Sequence, residues 1–107
     1  MPAPPISVVI VDDLKMVRDT WKLILARDTR FAVVGQCASG AEAIDAAFRL
    51  KPHIMLMDIN MSPVNGFEAT RKISRLYPEV KIIGVSINAQ AGYARKYASV
   101  RGQGLCN

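Results

Sequence analysis

Three carboxylates hold the chemistry that this chain offers. Asp58 ends the apolar run His53-Ile54-Met55-Leu56-Met57, and the pair Asp12-Asp13 ends a second run, Ile6-Ser7-Val8-Val9-Ile10-Val11. In an open parallel sheet, ligands bind outside the carboxyl ends of the strands. Two such strands side by side gather all three acids at one edge, where they repel unless a cation or proton intervenes. A hard metal suits such a pocket, and Mg²⁺ typically takes one or two carboxylates plus waters and a phosphate. Each acid also has a plainer reading: Asp12-Asp13 as a helix cap, Asp58 as a turn residue. Ser86 closes a further apolar run and fits a turn or cap hydroxyl equally well. His53 reads as a strand-edge residue, since the chain has no second histidine to share a metal.

The elements that must position these groups alternate along the chain. Ile6–Val11 reads as a strand. Leu14, Val17, Trp21, Ile24 and Leu25 recur at helical spacing, so a helix with one apolar face is predicted over about residues 14–28. Phe31–Gly35 reads as a second strand. Ser39-Gly40-Ala41-Glu42 has the capping-box pattern, in which the hydroxyl and the carboxylate satisfy free backbone donors. The helix it opens runs to about Leu50 and is stopped by Pro52. His53–Met57 is a third strand, apolar enough to be covered on both faces. Met61–Gly66 is a loop, Phe67–Leu76 a helix closed by Pro78, Val80–Ser86 a fourth strand, and about Ala89–Ala98 a further helix. Trp21, Met55, Met57 and Met61 read as packing. Strands alternating with helices give an α/β fold with a parallel sheet and right-handed crossovers.

Composition narrows the classes further. With 107 residues, half of them apolar, the chain is one domain with a core of modest size. No apolar run approaches the ~20 residues of a membrane span. Met1-Pro2-Ala3-Pro4-Pro5 lacks the basic and apolar regions of a signal peptide. Cys37 and Cys106 fit no metal spacing and are too few for a disulfide scaffold, so a cytoplasmic location is expected. The net charge of +5 is scattered over Lys15, Arg18 and Lys22, over Arg71, Lys72 and Arg75, and over Arg95, Lys96 and Arg101. Those spacings are what a solvated helix face shows. No zinc-finger or RNA-binding signature argues for nucleic acid.

The order of acid pair, acid and hydroxyl after the first, third and fourth strands resembles the receiver domain of bacterial two-component response regulators. The matching residues are Val9-Ile10-Val11-Asp12-Asp13, Leu56-Met57-Asp58-Ile59-Asn60-Met61, Asn65-Gly66-Phe67-Glu68-Ala69 and Ile83-Gly84-Val85-Ser86. The resemblance covers about Ile6 to Lys96. Gly66-Phe67-Glu68-Ala69-Thr70-Arg71 looks most like the branch whose members carry a helix-turn-helix output domain, which this chain does not include. One small departure is the proline at Pro63, preceded by Ser62, where the family places it directly after the methionine.

The resemblance implies a doubly wound, flavodoxin-like parallel sheet. It makes Asp58 the phosphoacceptor and a sensor histidine kinase the partner. It also implies a Mg²⁺ site built from Asp13 directly, Asp12 through water, Asn60 through its backbone carbonyl, and Asp58 itself. Ser86 becomes the switch hydroxyl. DNA is reached only through an output domain, and the domain is a signalling acceptor, not an enzyme. Two other classes stay in view. A phosphatase of the haloacid-dehalogenase type wants two acids one residue apart, and Asp58-Ile59-Asn60 has an amide in the second place. A phosphorylation-defective receiver would act only as a protein-binding module.

That last alternative rests on the chain's end. The family's aromatic switch residue would fall at position 105, where Leu105 stands, and its phosphate-binding lysine would fall just past Asn107. The final helix and most of the fifth strand are expected to be missing. Residues 1–96 are therefore read as the receiver core and 97–107 as an atypical, out-of-frame tail. Permitted codons for Ala98–Asn107, read in a shifted frame from the last two bases of a TAT codon for Tyr97, spell Gly-Ala-Lys-Gly-Tyr-Val-Thr, the ending the family expects. A final helix burying about four large apolar side chains at ~1.5–3 kcal/mol each contributes on the order of 6–12 kcal/mol, against a typical total stability of ~5–15 kcal/mol. A homodimer covering the exposed sheet face is the expected remedy. Sequencing the coding DNA checks the frame: one single-base shift near the Tyr97 codon should restore the family ending, and the absence of any such shift would contradict it.

Overall fold

The computed structural model describes residues 3–61 and 66–85. Its elements are β1 (Ile6–Val11), α1 (Lys15–Ala26), β2 (Phe31–Cys37), α2 (Gly40–Leu50), β3 (Ile54–Asp58), α3 (Gly66–Leu76) and β4 (Lys81–Val85). The four strands form one sheet in the order β2-β1-β3-β4, and every pairing is parallel. The α/β alternation read from the sequence is the architecture observed. Ser86, Asn65, the expected helix over about Ala89–Ala98 and the tail from residue 97 lie outside the described residues.

Strand periodicity divides the core into two layers. Val9 and Val11 of β1, with Met55 and Met57 of β3, face α2 and α3, where Ala43, Ala46, Ala47, Ala69 and Ile73 meet them. Val8, Ile10 and Leu56 point the other way, toward Trp21 and Leu25 of α1. This alternation is the period-2 geometry of a strand, and it explains why β1 and β3 read as nearly unbroken apolar runs. Small alanines on α2 allow that helix to lie close to the sheet. Met55, Met57, Met61, Ile73 and Ile82 are fully buried, each contributing roughly 1.5–3 kcal/mol.

Local chemistry sets the element ends. The Ser39 hydroxyl accepts the Glu42 backbone N–H at 3.1 Å, capping α2. The Glu42 carboxylate reaches past Ser39 and accepts from Ala38 N–H at 3.0 Å, one residue earlier than the reciprocal pattern expects. Lys51 ends α2 in the left-handed region at φ 44°, and Pro52 prevents continuation. At α1 the single apolar face read from spacing is only partly realised. Val17 is buried, whereas Leu14 and Ile24 are largely exposed, because α1 is the only described helix on its side of the sheet. His53 lies at the opposite end of the sheet from the acids. Its backbone N–H donates to the Ser7 hydroxyl at 3.0 Å, and its Nδ1 accepts the Ser7 backbone N–H at 3.0 Å. It is a strand-edge residue, as expected.

Glycine is required at the start of α3. A Cβ on Gly66 would collide with the carbonyl oxygen of Asp58 and the Cα of Ile59, so the helix sits directly against the backbone that bears Asp58. At Gly35 a Cβ would meet the tip of the Leu50 side chain at 2.9 Å, and that flexible end can rotate away. Gly66→Ala should therefore cost more than about 2 kcal/mol in urea denaturation, and Gly35→Ala less than about 1 kcal/mol. Equal costs would contradict this packing.

Candidate functional site

Sheet register brings the acids together. β1 and β3 pair with Val11 opposite Met57, so the next residues, Asp12 and Asp58, stand side by side at the carboxyl edge. Both are in phase with Ile10 and Leu56, so their side chains leave the sheet on the same side. β1 is flanked by β2 and β3, to which the chain runs in opposite directions along the sheet. The crevice at such a reversal is where open parallel sheets bind ligands. One oxygen from each of Asp12, Asp13 and Asp58 lies within 4.8 Å of the others. Asp12 and Asp58 are buried and Asp13 is exposed.

The backbone secures each group. Asp12 Oδ1 accepts the Leu14 N–H at 2.9 Å, and its own N–H donates to the Cys37 carbonyl at 3.0 Å. The Arg18 Nη1 donates to the Asp12 carbonyl at 2.7 Å. Asp58 Oδ1 accepts the Asn60 N–H at 3.0 Å, and Ile59 N–H donates to the Val85 carbonyl at 3.2 Å. α1 is capped at Leu14 without a side-chain bond. Asp12 thus bonds the backbone ahead of the first turn while it also belongs to the cluster, which is not the plain helix-cap arrangement.

Electrostatics mark the site as short of positive charge. Burial pushes the Asp12 carboxyl up to about 6, against the Leu14 N–H bond that lowers it, and the charges of Asp58 and Asp13 push it further. Asp58 is also raised, first by burial and then by Asp13, against the bond from Asn60 N–H. Two acids held where ionisation is costly, beside a third that is exposed, are a donor set of hard oxygens suited to a divalent cation.

Of the residues picked out by sequence, Asp12, Asp13 and Asp58 converge, and Asn60 follows directly through its N–H bond to Asp58. Ser86 lies outside the described residues. Charge spacing places Arg18 on a solvated face, yet it anchors the Asp12 backbone. Its place six residues after Asp12 was the available signal, but the same spacing also suits an exposed helix.

The sequence profile described as the response regulator receiver domain matches residues 8–105. The chain belongs to the response regulator receiver family. Relatives of this receiver domain include the transcriptional regulatory protein DegU of Brevibacillus brevis, 41% identical over 88 residues, which are 82% of this chain and 37% of that protein. The response regulator GacA of Pseudomonas protegens is 42% identical over 82 residues, 77% of this chain and 38% of that protein. The receiver therefore spans well under half the length of these relatives. Among solved structures, the response regulator domain of Thermotoga maritima CheB superposes with a TM-score of 0.82 at 33% identity, covering 95% of this chain and 75% of that one. A LuxR-family two-component response regulator from Aurantimonas sp. SI85-9A1 gives a TM-score of 0.86 at 25% identity, covering 95% and 73%. The four-stranded parallel sheet with helices on both faces is the flavodoxin-like receiver fold.

The raised Asp12 carboxyl has a measurable consequence. With its folded value near 6 and an ordinary value of 3.8, the folded state binds the proton more tightly than the unfolded chain. Stability therefore falls as pH rises through that window, and the loss is complete above it. In the absence of divalent cations, Asp12→Asn should stabilise the fold by about 1–3 kcal/mol at pH 7 and by little below pH ~4. Urea melts at the two pH values test this, and an equal effect at both would contradict it.

Proposed function

We propose that this receiver domain accepts a phosphoryl group on Asp58 from a phosphohistidine of a sensor kinase, in a Mg²⁺-dependent two-component pathway. The observation that carries the proposal is the convergence of Asp12, Asp13 and Asp58, one oxygen of each within 4.8 Å of the others, on a chain of the receiver family. Asp58 fits the acceptor role because Asn60 N–H fixes its Oδ1, which orients the carboxylate at the edge of the sheet. An Asp58 oxygen attacks phosphorus, the bond from phosphorus to the donor's imidazole nitrogen breaks, and that nitrogen keeps the electron pair. The product is an acyl phosphate.

Asp13 would hold Mg²⁺ directly, Asp12 through a water, and Asn60 through its backbone carbonyl. When bound, the metal offsets the repulsion between a carboxylate and an anionic phosphoryl group. Arg18 holds the Asp12 backbone, and so positions a residue of the metal site. Ser86 is proposed to hydrogen-bond a phosphoryl oxygen and to draw its loop inward, coupling phosphorylation to surface change. Support comes from the pairing of Asp58 with Val85, which Ser86 follows in the chain. A cytoplasmic setting fits this role, and no described helix is long and apolar enough to cross a membrane. DNA would be reached through an output domain.

Intact mass after incubation with acetyl phosphate and Mg²⁺ tests the proposal. One phosphoryl group should be added to the wild type and none to Asp58→Asn, and Asp13→Asn should slow the reaction at least about ten-fold. A folded wild type that gains no mass would favour the reading as a protein-binding module instead.

A further inference from the structure

Helix α3 leaves its outward cations unpaired. α1 and α2 each carry an ion pair between residues four apart, Lys15 with Asp19 at 2.8 Å and Asp45 with Arg49 at 2.6 Å. Such pairs steady an exposed helix face. On α3 the buried face is Ala69, Thr70 and Ile73, and the exposed face is Glu68, Arg71, Lys72 and Arg75. Arg71, Lys72 and Arg75 make no ion pair among the described residues. Arg71 and Arg75 stand one turn apart, where like charges work against the helix. Arg75, in the last turn, gains from the helix dipole; Arg71 and Lys72, in mid-helix, do not. The four exposed residues line a cavity of about 360 Å³, a volume within the range of ligand pockets.

We infer that this face of α3 is a docking surface for an acidic segment of a partner protein. Charge complementarity selects the occupant, because a complementary partner steers the encounter and fixes its register. Arg71 and Arg75 are about 6 Å apart along the helix axis, the spacing of two carboxylates one turn apart on a partner helix. Glu68 sets a carboxylate at the N-terminal end of the same face. A uniformly anionic nucleic-acid backbone meets that carboxylate with repulsion, whereas a protein segment can place a basic or neutral side chain against it. Proteins that grip a duplex engage on the order of six or more phosphates, and the three cations here fall short of that. The surface lies on the helix that begins against the Asp58–Ile59 backbone. Its charges are present whether or not Asp58 is phosphorylated, so the inference stands or falls apart from the proposed function.

Fluorescence anisotropy at low ionic strength tests this with three labelled probes: an octaglutamate peptide, an octaglutamine peptide and an oligothymidylate of equal length. Octaglutamate should bind the wild type and octaglutamine should not. The double variant Arg71→Gln, Arg75→Gln should weaken octaglutamate binding by about ten-fold or more. The double variant Lys22→Gln, Arg27→Gln removes the same net charge from α1 and its end, and should change binding by less than about two-fold. Glutamine is a good helix former, and circular dichroism should show both variants folded. Absence of octaglutamate binding, or an equal loss in the two double variants, would overturn the inference. Oligothymidylate binding as tight as that of octaglutamate would also overturn it, by assigning the face to nucleic acid.

Discussion

Parallel pairing of β1 with β3, in the register that sets Val11 against Met57, is the constraint on which the site depends. One residue further along each strand, the apolar run gives way to Asp12 and Asp58. The sheet thus places two carboxylates side by side at a cost visible in their raised proton affinity. Slipping either strand by one residue would turn a carboxylate toward the opposite face. The buried valines and methionines on both sides of the pair prevent that slip, so the core fixes the register and the register builds the site.

The helices contribute differently to that edge. α3 begins at Gly66, close enough to the Asp58–Ile59 backbone that no side chain fits between them. Its first turn is therefore mechanically tied to the segment that carries Asp58. α1 returns from the same edge, and Arg18 holds the Asp12 carbonyl from one turn inside the helix. β4 closes the other side, where the Val85 carbonyl accepts the Ile59 N–H. Charge introduced at Asp58 would be felt first through the Gly66 contact and the Ile59 N–H bond to the Val85 carbonyl, both made by backbone atoms.

Much of this was legible in the residues. The strand and helix order followed from the periodicity of β1, β3 and α1 and from punctuation at Ser39, Pro52 and Pro78. The convergence of Asp12, Asp13 and Asp58 followed from their places at strand ends. What periodicity missed depends on tertiary neighbours. Ile24 and Leu14 share the apolar spacing of Val17, yet both stay half or more exposed because α1 is the only described helix on its side of the sheet. Arg18 sits among solvated cations in sequence and reaches a backbone carbonyl only because the turn at Asp12-Asp13 folds back toward the helix. Glu42 bonds Ala38 N–H, one residue before the donor that the capping-box pattern names.

The central claim is that the three acids form a divalent-cation site, and the thermal midpoint during a Mg²⁺ titration at pH 7 and constant ionic strength tests it most directly. A ligand that binds only the folded state stabilises it by about 2.7 kcal/mol when present at about a hundred times its dissociation constant. The midpoint should rise and saturate for the wild type and stay level for Asp13→Asn. A wild-type midpoint unmoved by Mg²⁺, or an equal rise in the variant, would contradict the account.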